Sequence, residues 1–95
     1  MTKASHPNIV CKPRLPRGVR LKYDATRGEW LLLAPERVIK ADAIAVEILK
    51  RCDGTATFAV IVDDLAAQFS ADRARVEADV RALLAELAAK RVVDL

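Results

Sequence analysis

The chain has 95 residues, of which 53% are hydrophobic and 31% charged, and it carries a net charge of +3 at pH 7. This length supports one domain with one core, too small to enclose a deep substrate cavity between two lobes. No stretch approaches the roughly 18 consecutive apolar residues of a membrane span, and the N-terminus lacks the apolar segment of a signal peptide. The sequence therefore predicts a single cytoplasmic domain.

Residues that catalysis or metal binding would need are scarce. Forty residues separate Cys11 from Cys52, which excludes a C-x-x-C redox motif and a zinc ligand set. The single histidine, His6, lies in an N-terminal segment that offers no neighbours to hold it as a catalytic base. The three glycines are scattered singly, so they form no phosphate-binding loop. We therefore expect no enzymatic activity, no metal and no cofactor.

The positive charge is concentrated near the N-terminus. Residues 1–22 hold six basic and no acidic side chains, whereas residues 23–95 hold ten basic and thirteen acidic ones. Three prolines fall within the first 16 residues, and this segment has no helical period. The sequence predicts a flexible basic tail or linker over 1–16 and a folded domain over 17–95.

Three short strands are predicted at the start of the domain. Apolar and polar residues alternate over 19–23, which is typical of a half-buried strand. A turn containing Asp and Gly leads to a second strand over 29–33. After Pro35 a third extended run, over 37–40, has charged ends, as suits a sheet edge. The pattern does not decide which side chains of the second strand face inward: they are either Trp30 and Leu32 or Leu31 and Leu33.

Three helices are predicted next. The first spans about 42–52, and Thr57 is a cap for a second helix that ends near Ser70. The third and longest begins with Ser70 as its cap and Asp72 in its first turn, and it runs to about residue 89, followed by a short return strand over 92–93. This order predicts an α+β domain of the winged helix-turn-helix type, with a three-stranded antiparallel sheet followed by three helices.

The last helix and the third strand are the two candidate functional surfaces. The last helix does not favour DNA binding, because its four basic side chains are matched one for one by acidic ones. A short edge strand beside a helix accepts an extended peptide as an added strand, although Val38 and Ile39 also suit an ordinary core. The pattern leaves three functions open: a peptide-binding adaptor, a winged-helix nucleic-acid-binding domain and a structural dimerisation domain.

Several sequence segments resemble the PqqD family of pyrroloquinoline quinone (PQQ) biosynthesis proteins, and the resemblance covers about residues 15–94. The segments are Leu31 to Lys40 (LLLAPERVIK), Ala45 to Thr55 (AVEILKRCDGT) and Val60 to Phe69. The most specific pieces are the LLL-x-PE run and the IL-x-x-C-D-G run. The chain departs from the family pattern at Arg37, where many relatives have Gly, and at residues 41–42, where they have Leu-Asn.

The resemblance implies a peptide chaperone of the kind that recognises leaders of ribosomally synthesised and post-translationally modified peptides (RiPPs). The implied partners are the precursor peptide PqqA and the radical S-adenosylmethionine (SAM) enzyme PqqE, which links a Glu and a Tyr side chain and holds the iron–sulfur chemistry. Nucleic acid and membranes are not expected partners. The tail is compatible with fusion to another pathway protein. The implied peptide-binding residues are Arg37, Val38, Ile39 and Lys40 on the third strand, and Arg73, Val76, Val80 and Leu83 on the last helix.

Overall fold

The computed structural model describes residues 11–95, so the predictions for His6 and for the first ten residues lie outside the described range. The predicted α+β order of three strands and three helices is confirmed. The strands are β1 (Arg20–Asp24), β2 (Glu29–Ala34) and β3 (Arg37–Ala41). The helices are α1 (Ala43–Lys50), α2 (Phe58–Phe69) and α3 (Arg73–Ala89). No helix within 11–95 has the length and apolarity needed to cross a bilayer.

The sheet is antiparallel, with β2 at its centre and β1 and β3 at its edges. Leu32 lies opposite Leu21 on β1 and Ile39 on β3, so these three side chains share one face. That face packs against the helices, because Leu32 is fully buried and the other two contact the core. The inner pair of β2 is therefore Trp30 with Leu32, and the alternative pair lies on the opposite face.

The core lies between the inner face of the sheet and the three helices. It is built from aliphatic side chains and one aromatic ring, as the low aromatic content requires. Within residues 11–95 it contains no buried polar or charged side chain, so hydrophobic burial and close packing provide its stability. Its most deeply buried members are Leu32, Ile48, Ile61, Val62, Leu65, Val80 and Leu84.

Each helix begins with a side-chain cap. Asp42, Thr57 and Asp72 accept a hydrogen bond from the backbone N–H three residues further on, at 2.8, 3.2 and 3.3 Å. Ser70 does not cap α3; it has a left-handed φ of 50° and ends α2 instead. Gly54 is also left-handed, at φ 82°, but it lies in the turn beyond α1 and not at the end of that helix.

Residues 11–16 belong to the domain, so the prediction that a flexible tail extends to residue 16 is wrong for this segment. Pro13 is fully buried, and its carbonyl accepts a hydrogen bond from the N–H of Gly54 at 3.0 Å. Arg14 and Asp94 each donate a backbone N–H to the other's carbonyl, at 2.9 and 2.8 Å. Proline favours an extended backbone, and here that backbone docks on the core through its carbonyl groups and its apolar ring.

The C-terminal segment packs into the core and does not form the predicted return strand. Val92 and Val93 are buried, and the bridge pairing of this segment is confined to Asp94. A tight turn follows α3 directly, because Arg91 has a left-handed φ of 63° and the N–H of Val92 donates to the Leu87 carbonyl at 3.0 Å.

Candidate functional site

β3 has one edge without a partner strand in the part of the chain that the structure describes. Ile39 is half-buried opposite Leu32 and packs against the core, whereas Val38 is 62% exposed on the outer face of the sheet. Arg37 and Lys40 are exposed. Successive residues of an antiparallel strand direct their backbone groups to opposite sides, so the open edge offers unpaired N–H and C=O groups to an added strand.

An apolar groove lies beside the segment that follows β3. Its volume is about 450 Å³, and it runs between the start of α1, the end of α2 and the first half of α3. The large apolar side chains that line it are Ile44, Leu65, Phe69, Val76 and Val80. Ile44 and Phe69 are 46% and 44% exposed, so the groove leaves apolar surface in contact with water. Such surface is typical of a binding site.

Two of the four α3 residues predicted to contact a peptide line this groove. Val76 is half-buried there, and Val80 is only 1% exposed, so it contributes little contact surface. Leu83 packs against the core outside the groove lining. Arg73 faces α2, where its guanidinium donates to Asp63, and this hydrogen bond raises the pKa of Arg73 above its ordinary value. The groove therefore does not unite all four residues.

Ile44 and Phe69 are groove residues that the sequence reasoning missed. Helical spacing aligns them with the core stripes of α1 and α2, so sequence alone predicts that both are buried. The structure instead places Ile44 in the first turn of α1 and Phe69 in the last turn of α2. The signal for an exposed apolar residue of this kind is an apolar stripe that continues to the end of a helix. The element that packs against the helix can end earlier, and the last apolar side chains of the stripe then stay exposed.

The charges of α3 are largely neutralised by neighbours. Arg81 pairs with Glu77 at 2.6 Å, Arg73 pairs with the same carboxylate group at 3.1 Å, and Lys90 pairs with Glu86 at 3.0 Å. Three of the four cations thus form ion pairs, but the matching is not one for one, because Arg73 and Arg81 share Glu77. Cations already held in this way gain little from contact with phosphate.

Metal-binding clusters and the buried thiol Cys52 are the remaining candidates for chemistry in the described residues. Within residues 11–95 no group of three or more His, Cys, Asp or Glu side chains is arranged to hold a metal ion. Cys52 is buried, and burial raises the pKa of its thiol to about 12. A thiol that stays protonated at neutral pH is a poor nucleophile.

The family model for Coenzyme PQQ synthesis protein D (PqqD) matches residues 29–93, a range that includes β2, β3 and all three helices. Similar proteins bear the name PqqA binding protein. One from Rhodopseudomonas palustris is 56% identical over 81 residues, which are 85% of this chain and 79% of that protein. Another, from Xanthomonas oryzae, is 51% identical over 84 residues, which are 88% of this chain and 91% of that protein.

Two of the solved structures with this fold also show high sequence identity. The solution NMR structure of the PqqD truncation of Methylobacterium extorquens PqqCD is 48% identical, with a TM-score of 0.76, over 87% of this chain and 88% of that one. That truncation is described as a functional and stand-alone RiPP recognition element. The crystal structure of PqqD from Xanthomonas campestris is 42% identical, with a TM-score of 0.60, over 100% of this chain and 99% of that one.

Proposed function

Since the chain belongs to the PqqD family, we propose that it binds the precursor peptide PqqA in pyrroloquinoline quinone biosynthesis, the partner for which its relatives are named. It acts as a chaperone that holds the leader of the peptide and presents it to the modifying enzyme. The domain itself performs no chemical step.

The observation that carries this proposal is the open edge of β3, followed three residues beyond the strand by Ile44, which lines an apolar groove. The peptide adds to β3 as a further strand, and its backbone hydrogen bonds supply affinity without regard to sequence. Each such bond contributes on the order of 1 kcal/mol net. Alternate side chains of the peptide point towards the helices, where the groove selects apolar ones.

Residues contribute to this site in different ways. Arg37 to Lys40 act through their backbone groups, and Ile39 adds its side chain on the helix-facing side of the strand. Val76 supplies apolar contact from α3, and we add Ile44 and Phe69 to the proposed site because they are exposed in the same groove. Val80 supports the groove from the core. Arg73 and Leu83 flank the site.

Titration of the isotope-labelled domain with PqqA peptide tests the site. We expect the largest amide chemical-shift changes in β3 and in the first half of α3, with smaller changes at the start of α1. A scrambled peptide of the same composition is the control. Shifts confined to residues outside β3, α3 and the groove would contradict the proposed site.

Proline at position 38 or 39 tests strand addition directly. Adjacent amides of a strand point to opposite sides, so one substitution removes a donor from the open edge and the other disrupts the pairing of β2 with β3. The open-edge variant should keep its melting temperature and bind PqqA about tenfold more weakly, because it loses a hydrogen bond and its ring obstructs the added strand. Unchanged affinity in both variants would argue against strand addition.

We further propose that PqqE, the radical SAM enzyme, receives the peptide from this domain. In that case the complex of the domain with PqqA should bind PqqE, and sedimentation velocity should detect a ternary species. The Methylobacterium relative is a PqqD truncation of PqqCD, so a covalent tether to a pathway protein is a second arrangement within the family. A tether of this kind raises the effective concentration of the domain near its partner.

A further inference from the structure

A second concavity, of about 320 Å³, lies where β3 begins. It is formed by the segment before β1, the turn between β2 and β3, and the segment that follows α3. Its charged lining consists of the cationic Arg17, Arg37, Lys90 and Arg91 and the single acid Glu36. Lys90 pairs with Glu86 at 3.0 Å, whereas the three arginines make no ion pair within residues 11–95. Three arginine residues that form no ion pair within residues 11–95 therefore line one cavity.

The backbone of Arg91 is a second sign that this cavity has a function. Its φ of 63° is left-handed, and it occupies the position after a helix at which glycine is strongly preferred. A larger residue kept in such a conformation often marks a functional position. Favourable interaction with the C-terminus of α3 would explain cations at 90 and 91, but not Arg17 or Arg37, which come from other segments.

The cavity and the apolar groove lie at opposite ends of β3. Arg37 is the first residue of the strand and lines the cavity, whereas Ile44 follows the last strand residue by three positions and lines the groove. A strand rises about 3.3 Å per residue, so the first and last residues of β3 are about 13 Å apart. A peptide paired along β3 therefore reaches a basic site at one end and an apolar site at the other.

We propose that the cavity defined by Arg17, Arg37 and Arg91, termed the basic pocket, binds a carboxylate side chain of the peptide paired on β3. This inference rests on the proposed function and adds a second element of recognition. The acidic residue lies roughly four to six residues along the peptide from the apolar residue that enters the groove, as the strand rise requires. Guanidinium groups bind carboxylates with two parallel hydrogen bonds. The order of the acidic and apolar residues then sets the direction of the peptide, with the acidic residue C-terminal if the added strand is antiparallel to β3.

The test compares two double variants that remove the same charge. Arg17→Gln with Arg91→Gln removes two of the three arginines of the basic pocket and leaves β3 unchanged. Arg20→Gln with Lys22→Gln removes two exposed cations of β1 that do not line the cavity. Each protein is titrated with the cognate PqqA peptide and with a version in which Asn and Gln replace every Asp and Glu.

We expect the pocket variant to bind native PqqA at least about tenfold more weakly than the unmodified protein, and the β1 variant to bind within about twofold of it. The uncharged peptide should bind the unmodified protein and the pocket variant equally. Arg91→Gly serves as a check on folding, because it removes the side chain while relaxing the backbone. It should weaken binding of native PqqA without lowering the melting temperature.

Two results would overturn the basic pocket while leaving the proposed function intact. One is an equal loss of affinity in both double variants, which indicates general electrostatic attraction. The other is binding of native PqqA by the pocket variant at full strength, with the amide shifts still in β3 and α3. Failure of the unmodified protein to bind either peptide would refute the proposed function, and the pocket with it.

Discussion

Ser70 and Arg91 are the two non-glycine residues with a left-handed backbone in the part of the chain that the structure describes. Each ends a helix, and in each case the N–H of the next residue donates to the carbonyl five positions back, at 3.0 Å. These hydrogen bonds satisfy carbonyl groups that a helix end leaves unpaired, and they offset part of the conformational cost. At residue 91 the left-handed residue is also one of those that line the basic pocket.

Arg91→Gly should raise the free energy of unfolding by about 1 kcal/mol, because a left-handed backbone costs a non-glycine residue about 1–2 kcal/mol and glycine loses part of that gain to its unfolded-state entropy. Urea denaturation followed by circular dichroism measures the change. Arg91→Ala is the matched control, since it removes the charge but keeps the Cβ, and it should not stabilise the protein. A glycine variant less stable than the alanine variant would contradict this explanation.

Cys52 should resist alkylation in the native protein at pH 8. Burial raises the pKa of its thiol from the ordinary value of 9.0 to about 12, so little thiolate forms at that pH. Mass spectrometry of a Cys11→Ser variant, with and without urea, isolates the reaction at Cys52. Because the native state keeps a proton that the unfolded state has released, the free energy of unfolding should fall as the pH rises from 9.0 towards 12. Rapid labelling without urea would show that Cys52 is accessible.

The apolar stripes of α1 and α2 extend beyond the residues that pack in the core. Ile48 and Leu65 are buried, whereas Ile44 and Phe69, at the helix ends, are almost half exposed. The same periodicity thus produces both the core and the wall of the groove. This arrangement leaves the groove preformed, so a bound peptide does not have to order it at a cost in free energy.

Ile44→Ser should weaken PqqA binding about tenfold, because it removes apolar area from the groove. Val60→Ser is a matched control: Val60 is also an exposed β-branched residue on a helix, 47% exposed against 46% for Ile44, and it does not line the groove. Isothermal titration calorimetry gives the affinities and urea denaturation the stabilities. Both variants should lose similar, small amounts of stability. Equal affinity in the two variants would exclude Ile44 from the site.

The first and last segments that the structure describes pair with each other. Arg14 pairs with Asp94, and bridge pairing also joins Arg14 to Asp53 in the turn after α1. The buried ring of Pro13 lies in the same segment. Residues 11–16 thus link the turn after α1 to the segment after α3, although they form no regular strand of their own.

A chain that begins at residue 17, the domain start predicted from the sequence, should be less stable than one that begins at residue 11 by a few kcal/mol. The shorter chain loses five backbone hydrogen bonds: two between Arg14 and Asp94, and one each from the N–H groups of Val19, Gly54 and Phe58. It also loses the burial of Pro13. The urea midpoints of the two chains measure the difference. Equal midpoints would show that the docked segment contributes nothing.

The order of the elements, the cap of α2 and the edge position of the third strand follow from the sequence alone, whereas the cap of α3 does not. These properties depend on residues that are close in the chain. Alternation over a few residues predicts a strand, and a side-chain oxygen three residues before a backbone N–H predicts a helix start. Thr57 could therefore be identified as a cap, and the motifs that carry the family resemblance are equally local.

Only the tertiary structure decided which side chains share a site. It placed Leu32 on the inner face of β2, turned Arg73 towards α2, and brought Arg17, Arg37 and Arg91 to one cavity. Those three arginines come from segments that are far apart in the chain, and no local pattern relates them. The physical reason is that packing between distant segments sets the direction of each side chain, whereas periodicity describes one segment at a time.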